Sequence, residues 1–126
     1  MITDIKNKTG LVQWKNSYEV IGWFNNTENK KAKCFVCFDI VEYYPSIRQE
    51  QLKNTIEFAR NYTDISDSDV EIVWHACNTV LNFDKRVWKK KSEVGLFDVP
   101  MGSFHGAEIC DLVGLYILQG RRIVYY

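Results

Sequence analysis

The sequence predicts a mixed α/β (α+β) fold in one domain spanning residues 1–126. Three observations lead there. Several stretches repeat apolar residues at helical spacing, one run (Lys33 to Ile40) is apolar on both faces of an extended chain, and residues 84–100 abandon the helical period for short alternating runs. A chain of 126 residues that is 46% hydrophobic and 14% aromatic has the make-up of a globular domain and the length for one core.

Taken in order, Leu11 to Phe24 reads as a helix, with Leu11, Trp14, Tyr18 and Ile21 on one face and Thr9-Gly10 as the start signal. Residues 25–32 are polar and read as a solvated loop. Lys33 to Ile40 reads as a strand buried from both sides, as in the centre of a covered sheet. Arg48 to Tyr62 returns to helical spacing through Leu52, Ile56 and Ala59, with Ser46 as its cap and Pro45 just ahead, where a missing N–H costs nothing. After a polar turn at Thr63 to Asp67, a helix runs from Ser68 to about Asn82. It is capped by the Ser68-x-x-Glu71 pattern and carries Val70, Trp74, Cys77 and Leu81 on one face.

Arg86 to Lys89 and Gly95 to Val99 read as the two strands of a hairpin joined across Lys90 to Val94. Ala107 to Leu118 reads as a helix with Ile109, Leu112, Val113 and Tyr116 turned inward, and the tail from Gln119 to Tyr126 carries no assignment.

Charge is balanced overall, so it points to no acidic partner. Local charge is uneven: Lys30, Lys31 and Lys33 form one basic cluster, and Lys85, Arg86, Lys89, Lys90 and Lys91 surround Trp88 in another. The second cluster has two readings, a solvated hairpin tip or a nucleic-acid contact with one stacked base. No stretch is apolar enough to span a membrane and the N-terminus lacks a signal-peptide pattern, which gives an expectation of an intracellular protein of cytoplasm or nucleus. The Asn-x-Thr triplets at Asn7, Asn25 and Asn61 then carry little weight. Cys34, Cys37, Cys77 and Cys110 sit in apolar runs and read as small buried hydrophobes, because residues three apart on a strand face opposite sides and cannot close on one zinc ion. His75 reads as a boundary histidine rather than a ligand or base.

The stretch that carries chemistry is Cys34 to Ile47, where an apolar run ends in Asp39 and breaks at Tyr43-Tyr44-Pro45-Ser46. Asp39 also has two readings, a carboxylate anchoring a divalent cation at a strand end or a surface residue capping the turn.

Phe38-Asp39-Ile40 with Tyr44-Pro45-Ser46-Ile47, followed by Val99-Pro100-Met101-Gly102-Ser103 and Gly106-Ala107-Glu108, resembles the palm of reverse transcriptases. The likeness is closest to reverse-transcriptase-like proteins of animal mobile elements. It runs from about Leu11 to Leu118, with Gln13-Trp14-Lys15 and Trp23-Phe24 resembling the segment ahead of the palm strand. The resemblance implies a small, mostly antiparallel sheet backed by helices, acting in RNA-directed DNA polymerisation on a template-primer with deoxynucleoside triphosphates. It implies that Asp39 is catalytic and binds Mg2+ together with the carbonyl of Ile40, that Tyr43 or Tyr44 lies beneath the incoming sugar, and that Met101, Gly102 and Ser103 track the template. Core packing is the other reading of the two tyrosines. The glycine would allow close backbone approach, and the helix start behind the loop would favour a phosphate.

The sequence departs from that family at several points. It holds no Asp-Asp pair for the second metal-binding motif, no basic fingers segment, a histidine (His105) where an acidic residue is expected, and Pro100 where a hydroxyl residue is common. Asp111 belongs to the helix after the loop and does not replace the missing carboxylate. The expectation is therefore a partial palm that does not polymerise alone, with an apolar sheet edge left uncovered and low solubility. Two alternatives stand beside it. A family B DNA polymerase fragment shares Asp-x-x-aromatic-aromatic-Pro-Ser-Ile but not the Met-Gly-Ser loop, and a non-catalytic nucleic-acid-binding remnant would use Lys85, Arg86, Trp88 and Lys89. An inert domain is the remaining possibility. No specific protein partner is implied.

Overall fold

A computed structural model describes residues 1–37, 39–78, 80–88 and 99–120. The fold is α+β: six helices and one two-stranded antiparallel sheet stand among the described residues. The helices are α1 (Ile2–Thr9), α2 (Ser17–Asn26), α3 (Tyr43–Ser46), α4 (Gln49–Arg60), α5 (Asp67–Cys77) and α6 (Gly106–Gly120), with a 3-10 turn at Lys30–Ala32. The strands are β1 (Leu81–Phe83) and β2 (Arg86–Trp88).

The core is organised by α6, which packs against α1, α3 and α4. Successive positions on this helix feed two separate apolar clusters. Ile109, Cys110 and Val113 join Ile47, Leu52, Ile56, Cys77 and Val99 on one side. Leu112 and Leu115 join Ile5, Phe58 and Ala59 on the other, where the Phe58 ring meets Tyr62 and Tyr116 at 5.1 and 5.8 Å. Each fully buried aliphatic side chain here contributes on the order of 1.5–3 kcal/mol. The apolar spacing read from α4 and α6 therefore holds: Leu52, Ile56 and Ala59 are buried, as are Ile109, Leu112 and Val113, while Tyr116 is only half-buried and Leu115 takes the deepest place.

Several expectations need correction. Gly10 does not start a helix; it ends α1, in the left-handed region at φ 68°, with its N–H donating to Lys6 O. That conformation suits a glycine closing a helix. The helix expected over Leu11 to Phe24 begins only at Ser17, where the Asn16 side chain accepts from Glu19 N, and Trp14, Tyr18 and Ile21 are exposed rather than packed inward. α5 is capped two residues earlier than expected. Its capping box is Ser66 with Asp69, not Ser68 with Glu71, and it stops at Cys77 because Leu81 already belongs to β1. Ser46 ends α3, and Arg48 stands at the N-cap of α4 without a side-chain cap bond.

The buried strand expected over Lys33 to Ile40 is also not formed among the described residues. Cys34, Phe35, Val36 and Cys37 are exposed, and Ile40 is 53% exposed. An extended segment becomes a strand only when a neighbour takes its N–H and C=O groups, and no described strand lies beside this one. Cys34 and Cys37 are thus surface thiols, whereas Cys77 and Cys110 are buried as expected.

A hairpin that the sequence did not announce stands among the described residues. Arg86–Trp88 pairs with Leu81–Phe83 in the register Leu81 to Trp88, Asn82 to Val87 and Phe83 to Arg86. Asp84 and Lys85 connect them at φ 50° and 57°, both left-handed, the conformation a two-residue hairpin turn requires. Expected strand Gly95 to Val99 falls mostly outside the described residues, as does Lys89. No described helix is long and apolar enough to cross a membrane.

Candidate functional site

Two segments far apart in the sequence meet at the N-terminal end of α6. The chain enters through Glu42, held in the left-handed region at φ 50°, and winds into the single turn of α3. This places Tyr43 and Tyr44 edge to face, their ring centroids 6.4 Å apart, with both side chains half-buried against the core. The Tyr43 hydroxyl donates to the backbone oxygen of Cys110 at 2.7 Å. Burial pushes the Tyr43 phenol up to about 12, and the nearby Cys110, Asp111 and Tyr44 add to the shift. The Cys110 thiol is raised to about 11 by burial, against the opposing hydrogen bond from Tyr44.

The Met101–Ser103 loop arrives at the same place from the other direction. Gly102 sits at φ 85°, a conformation that favours glycine, so backbone shape is what the residue supplies here. Ser103 folds the loop back, its N–H and Oγ both donating to Pro100 O at 3.2 and 2.9 Å. Gly106 N then donates to Ser103 O at 3.2 Å and opens α6. A Cβ on Gly106 would lie 2.6 Å from Ser103 Oγ, 2.8 Å from Pro100 O and 3.7 Å from Tyr44 Cε1. Tyr44, Ser103 and Gly106 are therefore in one packed contact.

Two residues of this contact zone were not singled out from sequence. Gly114 carries no side chain where Gln13 Nε2 and Tyr43 Oη stand 3.3 and 3.4 Å from a Cβ position, and Gln13 Nε2 donates to Asp111 O at 3.1 Å. Cys110 supplies the carbonyl that holds Tyr43. The available signal was weak: Gly114 is a glycine inside an apolar helical pattern, which marks close approach in general without naming what approaches.

Among the described residues, the other expected site residues are exposed. Asp39 and Ile40 are exposed, so Asp39 does not end a buried strand. Among the described residues no group of three or more His, Cys, Asp or Glu side chains could hold a metal ion. Asp39 with the Ile40 carbonyl is a hard-oxygen donor pair of the kind Mg2+ uses, and one carboxylate is too small a set to hold the ion unaided. Met101 is 77% exposed at the loop tip. Lys85 and Arg86 are exposed on the hairpin beside Trp88, whose side chain is 56% exposed.

No family model, no curated protein and no solved structure matches this chain.

Proposed function

We propose that this chain is a palm segment of a reverse-transcriptase-like RNA-directed DNA polymerase that does not polymerise by itself. The observation that carries the reading is the meeting of Tyr44 with Ser103 and Gly106 at the head of α6. The Tyr-Pro-Ser and Met-Gly-Ser segments are, with Phe38-Asp39-Ile40, the stretches on which the resemblance rests, and a shared site for the first two is what a template-copying centre requires. The exposed Asp39 is the one carboxylate assigned to cation binding, and the 126 residues contain no Asp-Asp pair to accompany it.

Primer extension tests the reading in two arms. The purified chain with Mg2+ and deoxynucleoside triphosphates is expected to add no nucleotide. Fusion to both a basic fingers segment and a hairpin carrying aromatic-x-Asp-Asp is expected to give incorporation that Asp39→Ala abolishes. Incorporation by the unfused chain, lost in Asp39→Ala, overturns the inactivity; a fused chain without Asp39-dependent incorporation overturns the polymerase reading.

The exposed hairpin favours a second reading, a non-catalytic nucleic-acid-binding element. Trp88 and the basic Lys85 and Arg86 stand on a strand pair against which no described helix packs broadly. Salt-dependent binding to primer-template that is unchanged in Asp39→Ala supports this reading over the enzymatic one.

A further inference from the structure

Helix α2 buries none of its residues. Val20, Ile21, Trp23 and Phe24 recur at the spacing of one helical face, with Glu19 and Asn26 on the other, yet all four are 38–54% exposed. An amphipathic helix of a globular protein turns such a face toward the core, whereas α2 packs broadly against no other described element. The chain on either side of α2 widens the face. The Trp14 and Trp23 rings lie 5.0 Å apart, and Phe35 meets Trp23 and Phe24 at 5.8 and 5.2 Å. The charge on this part of the chain is basic: residues 11–37 hold Lys15, Lys30, Lys31 and Lys33 against Glu19 and Glu28. Lys30 Nζ stands 5.3 Å from the centre of the Phe24 ring, and Lys15, Lys31 and Lys33 are exposed. The Glu19 carboxylate is taken up at the start of α2, where it accepts from Lys15 N at 3.1 Å and from Asn16 Nδ2 at 3.2 Å.

We propose that α2 docks on an anionic lipid surface, its apolar face entering the headgroup boundary while the flanking lysines meet the lipid charges. Indole rings favour that boundary, and lysines lay their stems along apolar surface with the ammonium in water. Charge decides the lipid, because a basic rim gains from an anionic surface and not from a neutral one. The attachment is interfacial, since the 10 residues of α2 are too few to span a bilayer. A nucleic-acid strand fits the patch less well. Val20 and Ile21 gain only from an apolar medium, and ring face is already spent within the cluster, where Trp23 meets Phe35 edge to face and Lys30 covers one side of Phe24. A two-fold contact with a second copy would set the same lysines against each other. The inference does not rest on the polymerase reading, since Asp39 and the Tyr-Pro-Ser and Met-Gly-Ser segments take no part in it.

Co-sedimentation of the full chain with vesicles of phosphatidylcholine, alone or mixed with phosphatidylserine, tests this. Binding to the mixed vesicles is expected to be at least about tenfold tighter and to weaken as salt is raised. Lys31→Gln and Lys33→Gln are each expected to weaken it about fivefold, the scale of one basic residue at such a surface. Ile21→Asn is expected to weaken it about tenfold by withdrawing an aliphatic side chain from the apolar phase. Should Ile21→Asn lose its helical circular dichroism, bicelles of the same lipids with a nitroxide on the acyl chain decide the location in the unaltered chain. Broadening is then expected at the Val20 and Ile21 methyl groups and the Trp14 and Trp23 indoles. Absence of binding, equal binding to the two vesicle types, or broadening centred elsewhere would each overturn the proposal. So would binding to oligothymidylate that Ile21→Asn abolishes, which assigns the patch to nucleic acid, or dimerisation lost in the same variant, which assigns it to a second copy.

Discussion

Replacing Gly106 with alanine probes the contact that joins the two sequence motifs. The added Cβ would stand 2.8 Å from the Pro100 carbonyl and 2.6 Å from Ser103 Oγ. Ser103 can rotate away only by giving up its hydrogen bond to Pro100 O. The carbonyl is backbone and moves only with the loop. Overpacking of this kind costs about 1–3 kcal/mol. Alanine returns part of this through helix propensity, at most about 1 kcal/mol and less at the first residue of a helix. The net expectation is a loss of about 1–2 kcal/mol, or roughly 4–8 °C in Tm for a domain of this size. Gly22→Ala is the matched control: it lies within α2 with nothing within 4 Å of the added carbon, so stability is expected to rise by up to about 1 kcal/mol. Thermal unfolding followed by circular dichroism measures both. If Gly106→Ala is as stable as the parent, the loop does not close against α6 as described and Tyr44 is not held there.

The remaining expectations are quicker to check. Cys34 and Cys37 should react rapidly with a thiol reagent while Cys77 and Cys110 remain protected until unfolding; uniform rates would contradict the exposed 34–37 segment. Both Cys110 (from 9.0 to about 11) and Tyr43 (from 10.0 to about 12) hold their protons more tightly when folded. The unfolded chain therefore ionises first, and stability should fall from about pH 9 to 12, with Tyr43→Phe flattening the upper part of that decline in denaturant titrations. Tyr43→Phe should also cost about 1 kcal/mol at neutral pH by removing the donor to Cys110 O, and an unchanged midpoint would deny that bond. If the hairpin binds nucleic acid, Lys85→Ala and Arg86→Ala should each lower the salt dependence of binding by about one counterion, whereas Trp88→Ala should weaken binding to single strands with little change in slope.

Sequence alone determined α4 and α6, and less closely α2 and α5, while α1 and α3 went unread; helix formation is local and its apolar face is written at every third or fourth residue. The inward positions of α4 and α6 followed from Leu52, Ile56, Ala59, Ile109, Leu112 and Val113, and with the hairpin signal they determined the α+β class. Pairing was decided by the tertiary structure. An apolar run such as 33–40 states a preference for burial but not a partner, and with no described strand beside them residues 33–37 and 39–40 are exposed. The pairing of Arg86–Trp88 with Leu81–Phe83 went unread because Asp84-Lys85 adopts a left-handed turn without the glycine that usually announces one.

The candidate site divides along the same line. Its residue types were legible in Tyr43, Tyr44 and Ser103, but their convergence on Cys110, Gly106 and Gly114 was not. Periodicity fixes which way a side chain faces along its own element. Which distant backbone it meets depends on how α3, the 99–106 loop and α6 pack together, and only the folded chain supplies that.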